Sequence, residues 1–238
     1  MIRSADKSWH EILEYALKGM SQEYLEFLKR DENYFPKYPH ILNAFRLPLS
    51  QTKYILFGQD PYPRKESAIG WAFIDGKVKK IFSQNGFSKE VNRATSLRNF
   101  LKMALVAENL LDDDLSQSAI SKIDKSPLIK SIFELRDNFE KNGVLLLNMG
   151  LVFSDKKDSK KHIKEWRGFV CRVLSSLENE DIKLILFGNI AKEVAKLDEA
   201  KSFQTHLMPH PYNISFIRDQ NALNLFAPMH LLNLRSRD

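Results

Sequence analysis

Tyr54-Ile55-Leu56-Phe57-Gly58-Gln59-Asp60-Pro61-Tyr62-Pro63 opens on four apolar residues with no polar alternation and then breaks into a loop containing two prolines. Each proline fixes its own φ and pushes the residue before it, Asp60 or Tyr62, towards extended backbone, so the loop is stiff and cannot continue as a helix. Val144-Leu145-Leu146-Leu147 and Leu184-Ile185-Leu186-Phe187 repeat the apolar signature, and His206-Leu207-Met208 before Pro209 is a weaker fourth instance. Unalternating runs of this length are what strands of a parallel sheet require when both faces are buried.

Between these runs lie segments with apolar residues three and four apart. They are Leu97 to Val106, Ile129 to Phe139, and Trp166, Phe169, Val170, Val173, Leu174 and Leu177. Trp9, Ile12, Leu13, Leu17, Met20, Tyr24, Leu25 and Leu28 set the same spacing in the first thirty residues, and Asp219 to Leu234 suggests a closing helix. Lys122 to Lys125 reads as a polar loop. Strands alternating with helices predict an α/β fold, a three-layer αβα sandwich around a central, mostly parallel four-stranded sheet. A chain of 238 residues, 43% of them hydrophobic, is long enough for one sizeable core and short for two, so a single domain over 1–238 is expected.

In such folds the ligand crevice lies beyond the carboxyl ends of the strands. The segments found there are Gly58 to Pro63, Asn148-Met149-Gly150, Gly188-Asn189 and Pro209-His210-Pro211, and they are expected to converge. Asp60 offers a carboxylate held still by prolines, or else an ordinary solvated turn residue. His210, also between prolines, can aim one ring nitrogen as an electrophile or general acid; the alternative is a packed or surface histidine. The other five histidines, His10, His40, His162, His206 and His230, have no comparable setting. Asn148 ends an apolar run, where an amide needs partners, and it presents a donor beside an acceptor.

Other chemistries find no support. Cys171 is the only cysteine, which excludes an internal disulfide and a multi-cysteine metal site. There is no dinucleotide or phosphate-cradling glycine motif, no nucleophile elbow and no zinc-binding histidine pair, so neither cofactor nor metal is expected. The first ten residues lack the apolar run of a secretory signal, and no stretch is long enough to span a bilayer, which leads to the expectation of a soluble, cytoplasmic, monomeric protein. The net charge of +6 favours a polyanionic partner.

Taken in order, Ser8-Trp9-His10, Asn43-Ala44-Phe45-Arg46, Gly58 to Tyr62, Gly70-Trp71-Ala72-Phe73, Ser96-Leu97-Arg98-Asn99, Gly143 to Asn148, Trp166 to Phe169, Leu186-Phe187-Gly188 and His210-Pro211 resemble the family 1 uracil-DNA glycosylases over nearly the whole chain. The resemblance implies that Asp60 orients the attacking water and stabilises positive charge growing on the sugar. It implies that a neutral His210 hydrogen-bonds uracil O2 as negative charge accumulates on the departing base. Phe73 would stack on the flipped base, Tyr62 would collide with the C5 methyl of thymine, and Gln59 would give backbone contacts. Asn148 would read the O4 and N3–H edge, which cytosine presents in reverse. Ser96, Gly188, Asn189, Ile214 and Ser215 would engage DNA, Ile214 as the apolar wedge, and Lys156 to Arg167 would steer it. The products would be free uracil and an abasic site.

The chain departs from the family pattern where it would grip DNA. Pro63 stands in place of a histidine, and His210-Pro211-Tyr212-Asn213-Ile214-Ser215 replaces His-Pro-Ser-Pro-Leu-Ser. Asn92-Arg93-Ala94-Thr95 stands where a proline-rich stretch is expected, and Lys160-Lys161 where a Ser-His pair is expected. Two alternatives follow: a glycosylase for another damaged base, or a non-catalytic module that binds DNA or protein on the same fold.

Overall fold

A computed structural model describes residues 1–31 and 33–234. In chain order its helices are α1 (His10–Leu17), α2 (Gln22–Arg30), α3 (Lys89–Arg93), α4 (Thr95–Ala107), α5 (Gln117–Lys122), α6 (Ile132–Lys141), α7 (Ser159–Ser175), α8 (Ile190–Val194) and α9 (Gln220–Phe226). Its strands are β1 (Tyr54–Gly58), β2 (Phe82–Ser83), β3 (Gly86–Phe87), β4 (Val144–Asn148), β5 (Lys183–Phe187) and β6 (Thr205–Met208). These elements gather in two compact units, residues 1–75 with 143–205 and residues 76–142 with 206–238, so the chain passes between them three times.

The apolar runs become the central sheet, in the order β4-β1-β5-β6, flanked by helices as the α/β expectation requires. Within the first unit β1 pairs in parallel on both sides, with Ile55 opposite Leu145 and Leu184, and Phe57 opposite Leu147 and Leu186. The three middle residues of β1 and all five of β4 are buried, which is why neither run alternates. Each apolar side chain among them stabilises the fold by roughly 1.5–3 kcal/mol. Gly143, in the turn just before β4, has φ +76°, and its carbonyl accepts the N–H groups of Lys53 and Tyr54; a Cβ there would lie 2.5 Å from Gln51 O. Only glycine lets the two strands enter together.

The stripe over the first thirty residues forms two helices rather than one. The chain turns at Gly19-Met20, and Ser21 caps α2 by accepting the Tyr24 N–H. A Cβ on Gly168 in α7 would meet Gly19 O at 2.3 Å, so the break lets α1 and α7 approach closely. Trp9 anchors the core beneath them, its ring 5.1 Å from Phe45 and its Nε1–H donated to Leu47 O at 2.7 Å.

The second unit is built on Phe100, which contacts Phe139, Phe216 and Phe226 with ring centroids 5.2 to 6.0 Å apart. Here α6 begins later than its apolar spacing suggests, because the Ile129 N–H is committed to Leu232 O and a capping box of Ser131 and Glu134 sets the start. The closing helix is also shorter than expected. Pro228 has no N–H to continue it, so α9 ends at Phe226, a 3-10 turn covers Ala227–Met229, and His230 adopts a left-handed conformation. Lys122 ends α5 rather than lying in a loop.

Candidate active site

In the first unit the parallel register sets Gly58 opposite Asn148, so the loops after β1 and β4 leave the sheet at the same level. Two hydrogen bonds, Met149 N–H to Gly58 O and Gly150 N–H to Gln59 O, both 2.9 Å, hold them together. Asn148 is 7% exposed, and a Cβ on Gly58 would fall 2.2 Å from its Oδ1. Gly58 therefore supplies the space in which the Asn148 amide sits.

Asp60 is half-buried just beyond, and its Oδ2 accepts a hydrogen bond from Ser159 Oγ at 2.5 Å. Ser159 is the first residue of α7. Sequence reasoning passed over it, because a lone serine in a basic run carries no motif. Behind it His162 is buried between Tyr24 and Ser154, with Nδ1 2.5 Å from the Tyr24 hydroxyl and Nε2 2.8 Å from Ser154 Oγ. Burial lowers its pKa, so it serves as a neutral packed link at the base of α7.

Tyr62 and Phe73 are tied to each other, since the Tyr62 hydroxyl donates to Phe73 O at 3.3 Å. Burial raises the Tyr62 hydroxyl above its ordinary pKa, with the nearby Asp75 charge adding to the effect, so it remains a neutral donor. Phe73 has φ +68°, a conformation costly for a bulky residue and held here by its surroundings. Ala72 N–H donates to Leu146 O at 3.0 Å, and the Phe73 ring meets Phe187 at 6.2 Å. Gln59 and Asn189 are exposed, and Gly188 has φ +54° where the chain turns from β5 into α8. The first unit thus brings Gln59, Asp60, Tyr62, Phe73 and Asn148 to adjacent strand ends and carries Gly188-Asn189 beyond the next strand. Lys156, Lys157, Lys160, Lys161, Lys164 and Arg167 are all exposed.

In the second unit Tyr212 N–H donates to His210 Nδ1 at 3.0 Å. A backbone N–H can only donate, so Nδ1 is an acceptor and the neutral ring carries its proton on Nε2. His210 is exposed at the surface, and partial desolvation of its ring lowers its pKa, which favours that neutral form. The loop is clamped from α4, where the buried Asn99 donates through Nδ2 to Pro211 O at 2.8 Å and Tyr212 O at 3.3 Å. Asn99 is a second residue whose role the sequence left unassigned; a polar residue among Leu97, Phe100 and Leu101 was the available signal. Ser96 lies one turn before it, half-buried. Ile214 and Ser215 open the 3-10 turn Ile214–Arg218, held down by buried Phe216 and Ile217, while Ile214 remains 78% exposed.

Among the described residues, no cluster of three or more His, Cys, Asp or Glu side chains could hold a metal ion, and no helix is long and apolar enough to cross a membrane.

No protein-family model matches the chain. It is 30% identical to a uracil-DNA glycosylase of Fusobacterium nucleatum over 220 residues, 88% of this chain and 83% of that one. It is 26% identical to one of Borreliella burgdorferi over 226 residues, 89% and 87% of the two chains. Among solved structures, the wild-type UNG crystal structure from Nitratifractor salsuginis matches at TM-score 0.96 and 50% identity, covering 98% of this chain and 96% of that one. The crystal structure of mimivirus uracil-DNA glycosylase, at TM-score 0.59 and 15% identity over 88% and 70% of the chains, shares the fold. These relatives and the order of the strand-end residues lead to one conclusion: the chain belongs to the uracil-DNA glycosylase family.

Proposed function

We propose that this protein excises uracil from DNA by hydrolysing its N-glycosidic bond, releasing free uracil and leaving an abasic site. The target atom is inaccessible within a duplex, so the nucleotide must be flipped out, at a cost of a few kcal/mol that contacts elsewhere offset. The Asp60 carboxylate orients the attacking water and stabilises the positive charge that develops on the sugar. Ser159 is a positioning residue: by occupying Oδ2 it leaves Oδ1 for the water. His210 donates its Nε2–H to uracil O2 while negative charge builds there, a preorganised contact of the kind whose loss costs roughly 2.7–4 kcal/mol.

Phe73 stacks on the base, Tyr62 excludes a C5 methyl, Gln59 contacts the base through its backbone, and Asn148 pairs with the O4 and N3–H edge. Ser96, Gly188, Asn189 and Ser215 hold phosphates, and Ile214 fills the vacated stack. The reading further takes the protein as a cytoplasmic monomer, with no metal or cofactor, whose two units fold as one domain, since each is made of two separate stretches of chain.

The observation that carries this reading, in a chain of this family, is the registered pair Gly58 and Asn148 beside Asp60. It supplies a carboxylate for the sugar and a confined amide for the base at neighbouring strand ends. Incubation with a uracil-containing oligonucleotide followed by alkali should cleave the strand only at uracil. Absence of product on both single- and double-stranded substrates would overturn the proposal.

A further inference from the structure

Residues 77–93 hold five basic residues against one acidic residue, a net +4 out of the +6 of the whole chain. The segment is anchored in the second unit. Val78 and Ile81 are buried, Ile81 N–H donates to Lys130 O at 2.9 Å, and Ser88 N–H returns to Ile81 O at 2.8 Å. The hairpin of β2 and β3 turns through Gln84-Asn85 into Gly86, which opens β3 with φ +113°, and α5 holds it through Gln117 Oε1, which accepts the Phe87 N–H at 2.8 Å. With the apolar residues turned inwards, Lys77, Lys79, Lys80 and Lys89 are left exposed around a cavity of about 430 Å³, with Phe82 in its wall and Glu90 as the acidic residue lining it. The Phe82 ring is half-buried and stacked on Phe87 at 5.6 Å, and the Lys79 ammonium lies 5.5 Å from the Phe133 ring, so two of the walls are braced.

Four lysines lining one cavity with a single acidic residue concentrate positive potential there, which favours a polyanion entering it. An aromatic face among them suits a sugar or base alongside a phosphate. The same segment leads directly into the DNA-contact residue already assigned: α3 ends at Arg93, α4 starts at Thr95, and the Arg98 guanidinium donates to Asn92 O at 2.7 Å, fixing one helix to the other beside Ser96.

We propose that the cavity walled by Lys77, Lys79, Lys80 and Lys89 binds the sugar-phosphate backbone of DNA. It supplies grip in the part of the chain where the family's proline-rich stretch is absent. The proposal rests on the reading of this protein as one that acts on DNA. Its test is binding, read separately from base release.

The experiment compares three proteins on a uracil-free duplex of about 30 base pairs, by fluorescence anisotropy between about 50 and 200 mM salt. They are the wild type, the triple variant K79E/K80E/K89E, and a control of equal charge change, K18E/K29E/K201E, at exposed positions outside the segment. The segment variant should bind at least about tenfold more weakly, with the slope of log Kd against log salt reduced in magnitude by about 2 to 3, roughly 0.9 per lost phosphate contact. The control should keep most of the slope. Equal slopes in the segment variant and the control would overturn the proposal. K79Q/K80Q/K89Q, which keeps polar side chains of similar reach, should move the slope in the same direction, and an unchanged slope in this milder variant would equally overturn it. Base release from a uracil oligonucleotide a few nucleotides long is measured separately on the wild type. Absence of release in the wild type would instead remove the glycosylase reading and leave the binding result standing.

Discussion

Ser159 Oγ lies 2.5 Å from Asp60 Oδ2, joining the first residue of α7 to the loop after β1 across 99 positions of sequence. A carboxylate with one oxygen occupied by a hydroxyl has its rotamer set before substrate arrives, and that is the condition for aiming a water at a carbon atom.

If that hydrogen bond positions the carboxylate, Ser159→Ala should lower kcat by about tenfold, equivalent to about 1.4 kcal/mol, while KM changes little. Ser159→Thr, which restores a hydroxyl at the same place, should recover most of the rate. A purely structural role for the serine would show itself as a fall in thermal stability with kcat preserved in the folded fraction. Steady-state kinetics with a thermal melt on the three proteins decides between the two.

His210 yields a prediction in pH. Protonation places a hydrogen on Nδ1, where Tyr212 N–H already donates, so the cation must break that contact; partial desolvation of the ring lowers the pKa in the same direction. The neutral ring therefore persists below the ordinary histidine value of about 6.5. Activity should hold as pH falls through that value and decline only at lower pH, as the loop rearranges. For stability, the unfolded chain binds the proton first, so this group's contribution is complete above about 6.5 and is lost progressively as pH falls below it. His210→Ala should cost roughly two to three orders of magnitude in kcat. A pH–rate profile whose acid limb lies above the ordinary histidine value would contradict the neutral-donor assignment.

Strands β1, β4 and β5 were legible because each is buried on both faces, which leaves an uninterrupted apolar run that no surface element mimics. The β2–β3 hairpin was not, because two-residue strands have no period to detect and its position depends on Gln117, thirty residues away from the Phe87 N–H that it accepts. The split between α1 and α2 was hidden for a related reason. The apolar stripe continues through the turn, and only the contact between Gly19 and Gly168 shows why the helix has to stop. At the site, Asp60, His210 and Asn148 could be singled out from their place after apolar runs and beside prolines. Ser159 and Asn99 act only through partners brought near by folding, and nothing in their immediate sequence records those partners.

Gly58 provides the sharpest steric test, because its missing side chain is what gives Asn148 room. Gly58→Ala places a methyl group 2.2 Å from Asn148 Oδ1 and 3.0 Å from Ala72 Cβ, in a buried strand end where neither can withdraw freely. Overpacking of this kind typically costs about 1–3 kcal/mol. The Asn148 amide must rotate away to relieve it, and under the proposed role it would then lose the alignment that distinguishes uracil from cytosine. Gly58→Ala should therefore resemble Asn148→Ala in kinetics, with kcat/KM down by about a hundredfold, close to 2.7 kcal/mol of lost transition-state stabilisation. The double variant should be no worse than either single one, since both remove the same amide contact. Full activity in Gly58→Ala would mean that the amide does not hold the base from this position.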